Sequence, residues 1–321
     1  MEGIGPNLLG IKGLTREQIH YFVETAEKFV DINRRSVKKV PTLRGKTVVN
    51  LFYEVSTRTR TSFEIAAKRL SADAVNIAAQ SSSVTKGETL LDTARTLEAM
   101  NPDIIVMRHP ESGAPHFLAQ LLKGVSIVNA GDGLHEHPTQ AILDALTIKQ
   151  SLGRIDKLKL VIVGDVLRGR VGRSNIFMHR ALGNEVVLVG PPTLVPREFQ
   201  ELGVKVCYDL PTALEGADAV MSLRIKLEYL NEAFIPSSDE YAKYFCLSEK
   251  LLARHCPQAV VLAPGPYMRG LELTSEVIDG PRSKISDQVE NGVSTRMAIL
   301  FLLAQWWEHK RGLESSLELP A

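Results

Sequence analysis

The sequence has little of what marks secreted, membrane-bound or nucleic-acid-binding proteins. Its 321 residues include 3 cysteines (Cys207, Cys246 and Cys256), which are too widely spaced for a disulfide framework or a cysteine-rich zinc site. The formal net charge of +1 gives no electrostatic reason to expect nucleic acid or an acidic membrane surface as a partner. The N-terminus lacks the basic and then apolar pattern of a signal peptide. These features predict a cytoplasmic protein with reduced thiols.

Long hydrophobic runs are also missing. The longest apolar stretch extends from Met297 to Trp307 and is interrupted by Gln305, whereas a membrane-spanning helix needs about 20 residues. We therefore expect no membrane as partner. With 44% hydrophobic and 23% charged residues, the composition is that of an ordinary globular protein, and at this length one core usually divides into two.

Short apolar runs alternate with segments of helical periodicity along most of the chain. This alternation predicts an α/β fold with two doubly wound parallel-sheet domains. It restarts after a strong helix at residues 138–151, so we place a domain boundary near residue 150. The predicted domains are residues 1–150 and 151–287, joined by bridging helices, with a final helix at 288–311 packing back on the first domain. The predicted strands are 46–52, 103–107, 125–129, 159–164, 185–189, 204–207, 219–223 and 259–262, and the other predicted helices include 14–30, 87–100, 114–122 and 171–182.

The most informative motif lies between the first of these strands and the helix after it. There the chain reads Ser56-Thr57-Arg58-Thr59-Arg60. Free backbone N–H groups and the helix dipole make a helix start a ready anion site. The hydroxyls can donate to phosphate oxygens, and the guanidinium groups bind phosphate in bidentate fashion. The competing interpretation is a serine N-cap followed by solvated arginines, but we favour phosphate.

This run, followed by Ser62-Phe63-Glu64, resembles the carbamoyl-phosphate signature of the aspartate and ornithine carbamoyltransferases. The resemblance covers nearly the whole chain. It implies an enzyme that transfers a carbamoyl group from carbamoyl phosphate to an amine, with no metal and no organic cofactor. It also implies that residues 1–150 bind carbamoyl phosphate and that residues 151–287 bind the amino acid.

Two more segments at strand ends fit the family pattern. Arg108 matches an arginine that touches the phosphate and the carbonyl oxygen. His137-Pro138-Thr139-Gln140 matches the family's His-Pro-x-Gln motif, in which the histidine polarises the carbamoyl carbonyl and the glutamine holds the amide. Ornithine enzymes usually have cysteine at the position of Thr139, so the resemblance favours aspartate as the acceptor.

The run His135-Glu136-His137 also permits a metal hypothesis. A His-x-His pair with an adjacent glutamate could ligate zinc, but no third ligand follows at characteristic spacing. We therefore predict no metal at this motif. The resemblance assigns no role to His135 or Glu136.

Residues 161–174 contain several glycines after a strand, which suggests a nucleotide site. The Gly-x-Gly-x-x-Gly order is missing, however, and Arg170-Val171 replaces the Lys-Ser/Thr pair of a phosphate loop. In the family, a Gly-Asp turn is followed by an arginine that binds a substrate carboxylate, and Arg170 matches it. Arg224 matches a second carboxylate clamp, and Pro264 and Gly265 match a turn whose carbonyl groups receive substrate amines.

Residues 81–89 form a polar segment that would ordinarily be a flexible loop. In the family, the matching loop reaches into the site of a neighbouring subunit, and Ser82 and Lys86 are the matching residues for the phosphate and the second substrate. The resemblance therefore implies a homotrimer with shared active sites. It leaves open a regulatory chain or a dihydroorotase partner.

Two positions depart from the pattern of aspartate enzymes, which have glutamine where this chain has Lys226 and arginine where it has Tyr229. The positive charge of a lysine at position 226 would favour a dicarboxylate substrate, but it fits less well beside the amine of that substrate. The sequence predicts carbamoyl transfer to L-aspartate, as in pyrimidine biosynthesis. Three alternatives stay open: another amine acceptor such as ornithine, a non-catalytic paralogue that binds a partner chain, and an NAD-binding oxidoreductase.

Overall fold

Two parallel β-sheets form the framework of the chain. The computed structural model describes residues 4–78, 88–226 and 235–312. The first sheet has the order β2-β1-β3-β4 and the second the order β7-β6-β5-β8-β9. All neighbouring strands are parallel, which confirms the predicted α/β class. The strands are β1 Thr47–Phe52, β2 Asp73–Ala78, β3 Ile104–His109, β4 Ser126–Asp132, β5 Lys159–Val163, β6 Glu185–Val189, β7 Lys205–Cys207, β8 Ala219–Ser222 and β9 Val260–Leu262.

Helices follow most of these strands. They are α1 Arg16–Arg34, α2 Thr57–Arg69, α3 Leu90–Ala99, α4 Ala114–Leu121, α5 Pro138–Leu152, α6 Arg170–Ala181, α7 Leu210–Leu214, α8 Ser238–Phe245, α9 Glu249–His255, α10 Ser275–Asp279 and α11 Ile285–Lys310. A 3-10 helix spans Arg197–Leu202. Among the residues that the structure describes, no helix is both long and apolar enough to cross a membrane.

The chain divides into two compact units, residues 1–143 with 289–321, and residues 144–288. The chain passes from one unit to the other within α5 and again within α11. The assignment of one substrate to each domain stays a prediction.

Each sheet reverses its strand order once, between β1 and β3 in the first unit and between β5 and β8 in the second. Helices leave opposite faces of a sheet at such a point, and the crevice beyond the carboxyl ends of the two strands is where doubly wound sheets bind ligands. Ligand-binding residues are therefore expected directly after β1 and β3, and directly after β5 and β8.

The C-terminal helix α11 packs against elements of the first unit. The rings of Phe301 and Phe29 meet edge to face with centroids 5.8 Å apart. The Ser294 hydroxyl accepts a hydrogen bond of 2.6 Å from Nδ2 of Asn33, and Trp307 Nε1 donates to Ser126 Oγ at 3.0 Å. These contacts tie the end of the chain to α1 and β4.

Several elements differ from the sequence-based prediction. The strand β2 is not among the predicted strands, because as an edge strand it leaves residues such as Val75 45% exposed. Helix α1 continues past residue 30 because Ile32 and Asn33 are also buried on its inner face. Helices α7 to α10 were not predicted, since runs of 5 to 8 residues show little of a helical period.

Candidate functional site

The first candidate site lies after β1 and β3 in the first unit, and it begins at the start of α2. Ser56 takes the N-cap position in an extended conformation, and its side chain caps none of the described backbone N–H groups. The hydroxyl of Ser62 instead binds the carbonyl oxygens of Arg58 at 2.6 Å and Thr59 at 2.9 Å, which fixes the first turn. Thr59 is buried, and Thr57 and Arg58 are exposed. Ser56 is therefore the N-cap residue of α2 but makes no side-chain capping bond, so the helix start keeps its capacity for an anion.

Arg108 extends from the end of β3 next to this helix start. The strand register pairs Phe52 with Arg108, and the Arg108 Nε donates a hydrogen bond of 3.0 Å to Glu54 Oε2. Its Nη1 donates to the Ala130 carbonyl oxygen at 3.4 Å. The Arg108 side chain is 15% exposed, so the ion pair holds a mostly buried guanidinium at the carboxyl edge of the sheet.

Asp132, at the end of β4, organises the loop that leads to His137. Its side chain is fully buried. It accepts hydrogen bonds from the backbone N–H groups of Gly113 at 2.7 Å and Glu136 at 3.1 Å, and from Asn129 Nδ2 at 2.8 Å. A carboxylate that accepts several N–H bonds is a rigid anchor. It ties the loop before α5 to the start of α4.

Glu136 anchors the same loop from its other side. Its buried carboxylate accepts hydrogen bonds from the backbone N–H groups of Ile11 at 2.7 Å and Lys12 at 3.2 Å. The N-terminal segment thus binds to the residue immediately before His137. This contact gives Glu136 a structural role that the sequence did not reveal.

His137 is 5% exposed, and α5 begins at the next residue. Gln140 lies in the first turn of α5, where its backbone N–H donates to the His137 carbonyl oxygen at 3.0 Å. Nearby, the rings of His109 and Tyr53 pack at a tilt with centroids 4.6 Å apart, and burial lowers the pKa of His109. The first candidate site therefore keeps the helix start, Arg108 and the loop of His137 at the carboxyl edge of one sheet.

The second candidate site lies after β5 and β8 in the second unit. Asp165 follows β5 and accepts hydrogen bonds from Arg168 Nε at 2.8 Å and from the Arg168 backbone N–H at 3.1 Å. Burial raises the pKa of the Asp165 carboxyl, against the effect of the bonded arginine. The resulting tight turn ends at Gly169, and Arg170 is the first residue of α6.

Arg224 and Lys226 leave the end of β8 at the same sheet edge, with Ile225 between them buried. The backbone N–H of Ile225 donates to the buried carboxylate of Glu272 at 2.9 Å. Lys226 Nζ donates a hydrogen bond of 2.8 Å to the Arg168 carbonyl oxygen. Desolvation raises the pKa of Glu272, while its backbone hydrogen bonds and the charge of Arg224 oppose that shift.

Gly164 follows β5 directly and lies close to the backbone that follows β8. Its φ is +121°, and a Cβ built there would lie 2.5 Å from the Leu223 carbonyl oxygen. Pro264 and Gly265 follow β9, the neighbour of β8. The peptide bond between Gly265 and Pro266 is cis.

Not every predicted site residue can be located. Ser82, Lys86 and Tyr229 lie outside the described residues. The others fall into the two groups above: Ser56, Thr57, Arg58, Thr59, Arg108, His137 and Gln140 in the first unit, and Arg170, Arg224, Lys226, Pro264 and Gly265 in the second.

Two family models match the chain in succession. Residues 6–150 match the model described as "Aspartate/ornithine carbamoyltransferase, carbamoyl-P binding domain", and residues 156–303 match the one described as "Aspartate/ornithine carbamoyltransferase, Asp/Orn binding domain". The chain belongs to the aspartate/ornithine carbamoyltransferase family.

Relatives within this family are similar over almost their whole length. A protein of Geotalea uraniireducens named "Aspartate carbamoyltransferase catalytic subunit" is 56% identical over 296 residues, 92% of this chain and 95% of that relative. A protein of Syntrophus aciditrophicus with the same name is 52% identical over 297 residues, 92% of this chain and 96% of the relative.

Solved structures of the family share the fold. Aspartate transcarbamoylase from Trypanosoma cruzi in complex with carbamoyl phosphate has a TM-score of 0.82 at 29% identity, with 92% of this chain and 94% of that chain covered. Ornithine carbamoyltransferase from Thermus thermophilus has a TM-score of 0.82 at 28% identity, with 94% of this chain and 99% of that chain covered. The fold is therefore common to aspartate and ornithine enzymes.

Sequence reasoning missed the residues that hold the site residues in place. Asp132, Asp165 and Glu272 accept hydrogen bonds from backbone N–H groups of the segments that carry the predicted ligands. Glu136 accepts hydrogen bonds from the backbone of the N-terminal segment. A signal for Asp132 existed, since an aspartate directly after a buried strand is unusual unless it is hydrogen-bonded. No comparable pattern marks Glu272, whose partner Ile225 is 47 residues away.

Proposed function

We propose that this chain transfers the carbamoyl group of carbamoyl phosphate to the amino group of L-aspartate, giving N-carbamoyl-L-aspartate and phosphate, a step of pyrimidine biosynthesis. The observation that carries the proposal is the similarity to aspartate carbamoyltransferase catalytic subunits, at 52–56% identity over more than nine-tenths of this chain. The two candidate sites support the proposal, because each presents positively charged side chains at the carboxyl ends of strands and both substrates are anions.

Carbamoyl phosphate binds at the first candidate site. The phosphate meets the free N–H groups at the start of α2, the hydroxyls of Ser56, Thr57 and Thr59, and the guanidinium of Arg58. Two observations support this assignment: the Ser56 side chain makes no capping hydrogen bond, and Arg58 is exposed. Arg108 contacts both the phosphate and the carbonyl oxygen, and His137 and Gln140 bind the carbamoyl group. Ser82 and Lys86 of a neighbouring subunit complete the site.

L-Aspartate binds at the second candidate site. Its two carboxylates bind Arg170 and Arg224, with Lys226 and Lys86 adding positive charge, and the carbonyl groups of Pro264 and Gly265 accept from its amine. Bidentate arginine–carboxylate pairs fix the orientation of a dicarboxylate. The two arginines are the first residue of α6 and the second residue after β8, so both stand at the carboxyl ends of strands.

The reaction is an acyl transfer without a covalent enzyme intermediate. The neutral amine of aspartate attacks the carbamoyl carbon, and a C–N bond forms as the carbonyl oxygen gains negative charge. Thr59, Arg108 and His137 stabilise that oxyanion. The carbon–oxygen bond to phosphate then breaks, and the departing phosphate takes the proton that the amine nitrogen loses. Fixed donors at a developing oxyanion are worth about 10²–10³ in rate each, and holding two substrates in place contributes further.

Phosphate release from carbamoyl phosphate tests the proposal directly. We expect release with L-aspartate and none above background with ornithine, N-acetylornithine or putrescine. Release with another acceptor alone would replace aspartate as the substrate while keeping the chemistry. Absence of release with all four, together with failure to bind carbamoyl phosphate in a calorimetric titration, would contradict the proposal and favour a non-catalytic paralogue.

We further propose a cytoplasmic homotrimer whose active sites are shared between subunits. The test is to mix two inactive variants, Arg108→Gln and Lys86→Gln, under conditions that exchange subunits. If Lys86 acts in a neighbour's site, each hybrid trimer has one intact site, and an equal, randomised mixture recovers roughly a quarter of the native sites. No recovery in mixed trimers, verified by mass, would show that each chain supplies its own Lys86. Association with a regulatory chain or a dihydroorotase is tested by co-purification from the source cells.

A further inference from the structure

Two imidazole rings and a carboxylate meet beside the loop that carries His137. They belong to His116 in α4, Asp132 at the end of β4, and His135 in the loop between β4 and α5. One potential ligand atom of each lies within 4.8 Å of those of the other two. His135 Nδ1 is 3.1 Å from Asp132 Oδ2, and the rings of His116 and His135 meet edge to face with centroids 5.4 Å apart.

These distances suit a tetrahedral transition-metal ion. Zinc binds imidazole nitrogen and carboxylate oxygen at about 2.0–2.2 Å, which places neighbouring ligand atoms about 3.3 Å apart. His135 Nδ1 and Asp132 Oδ2 already have nearly that separation, and a ligand atom of His116 lies within 4.8 Å of theirs. Imidazole ligands favour zinc-class cations over magnesium or calcium, which prefer oxygen.

A second observation also indicates that a cation binds between these side chains. Nδ1 of His116 is buried, and within the described part of the chain it has no hydrogen-bond partner. Buried polar atoms are nearly always satisfied, so an unsatisfied one calls for an explanation. A cation ligated by this nitrogen would supply the partner.

The carboxylate is also held as metal ligands usually are. Asp132 is fixed by the backbone N–H groups of Gly113 and Glu136 and by the amide of Asn129. Such outer hydrogen bonds orient a ligand before the metal arrives. Glu136 cannot serve as the carboxylate ligand in its place, because its own oxygens bind the backbone of Ile11 and Lys12.

We propose that His116, Asp132 and His135 form a binding site for a zinc-class divalent cation, with water at the remaining position. The ligands come from α4, β4 and the following loop, so a bound cation cross-links the segment before His137 to α4. This set differs from the His-x-His motif of the sequence, from which it takes only His135.

The test uses the full-length protein after treatment with a chelator. Titration with Co²⁺ is followed by visible absorption, and Zn²⁺ is then added to displace it. We expect one Co²⁺ per chain, full displacement by Zn²⁺, and an affinity that falls roughly tenfold or more in His116→Gln and in His135→Gln. The matched control is His309→Gln, which removes an exposed histidine near the end of α11 and should leave the affinity unchanged.

Either of two results would overturn the site. One is that the native protein binds no stoichiometric Co²⁺ or Zn²⁺; the other is that both histidine variants bind as tightly as the control. If a variant fails to fold, X-ray absorption of the zinc-loaded native protein decides, since a shell without imidazole nitrogen excludes the site. Neither readout depends on carbamoyl transfer, so the site and the proposed function fail independently.

Discussion

Lys226 Nζ donates a hydrogen bond of 2.8 Å to the main-chain carbonyl oxygen of Arg168. The guanidinium of Arg168 in turn binds Asp165, so the lysine rests on the turn that leads into α6 and Arg170. Its ammonium group is therefore held at the carboxyl edge of the second sheet. A residue that departs from the family pattern is thus built into the second candidate site.

We predict that Lys226→Met weakens aspartate binding more than it slows turnover. The change removes one fixed positive charge, and a hydrogen bond to a charged group is worth about 1.5–3 kcal/mol, or at least tenfold in affinity. Steady-state kinetics should show KM for aspartate rising about tenfold or more with a smaller change in kcat. The control is Lys205→Met, which removes a lysine that is 69% exposed and paired with Glu185. An unchanged KM in Lys226→Met would show that this lysine is only structural.

Arg108→Gln should nearly abolish carbamoyl transfer. If Arg108 contacts the developing oxyanion, its loss lowers kcat by about 10²–10³. Stability should change little, because the carboxylate left behind, Glu54, is 29% exposed and can be solvated. A matched control is Arg34→Gln, which breaks an exposed pair with Glu290. Both variants are compared by initial rates and by thermal unfolding, and a kcat within threefold of native for Arg108→Gln would remove it from the proposed mechanism.

The fold could be predicted largely because its signals are local. The runs of β1, β3 and β5 are mostly apolar, and helical periodicity follows each of them. Where exposed residues interrupt the apolar run, as at the edge strand β2, the strand is not predicted. The strand order cannot be predicted from local patterns, because the residues of β5 contain no feature that identifies β8 as its neighbour.

The residues of the two candidate sites also differ in how far the sequence predicts them. Residues with a motif, such as Arg108 and His137, were found because function demands particular side chains at fixed spacing. Glu272 and Asp132 were not found, because each acts by accepting hydrogen bonds from backbone N–H groups, which every residue except proline has. His116 was missed because its neighbours in space come from another part of the chain.

Gly164→Ala should destabilise the second unit. The backbone there has φ of +121°, and the added Cβ would lie 2.5 Å from the carbonyl oxygen of Leu223. Left-handed strain alone costs about 1–2 kcal/mol, and separating β5 from β8 adds to it. The control is Gly183→Ala, whose φ is +73° but whose Cβ would meet no described atom within 4 Å. Urea unfolding should show a clearly larger loss for Gly164→Ala, and equal losses would mean that the close approach carries no cost.

His179 should make the protein less stable in mild acid. Burial lowers the pKa of His179 to about 4. The amide of Asn184 is oriented by bonds to Leu158 N and Ile155 O, so its Nδ2 donates to His179 Nδ1 at 2.8 Å. An imidazole that accepts at Nδ1 is the neutral form, which agrees with the lowered pKa.

The sign of the pH effect follows from linkage. The unfolded chain, with a histidine pKa of about 6.5, binds a proton between pH 6.5 and 4 that the folded chain does not. The stability that His179 contributes is therefore present above pH 6.5 and is lost as the pH falls toward 4, by roughly 3 kcal/mol in all. In urea unfolding at a series of pH values, His179→Gln should lose this part of the slope, whereas His309→Gln, an exposed histidine, should keep it. A slope that is the same in His179→Gln and in the native protein would mean that other groups, not His179, take up the proton.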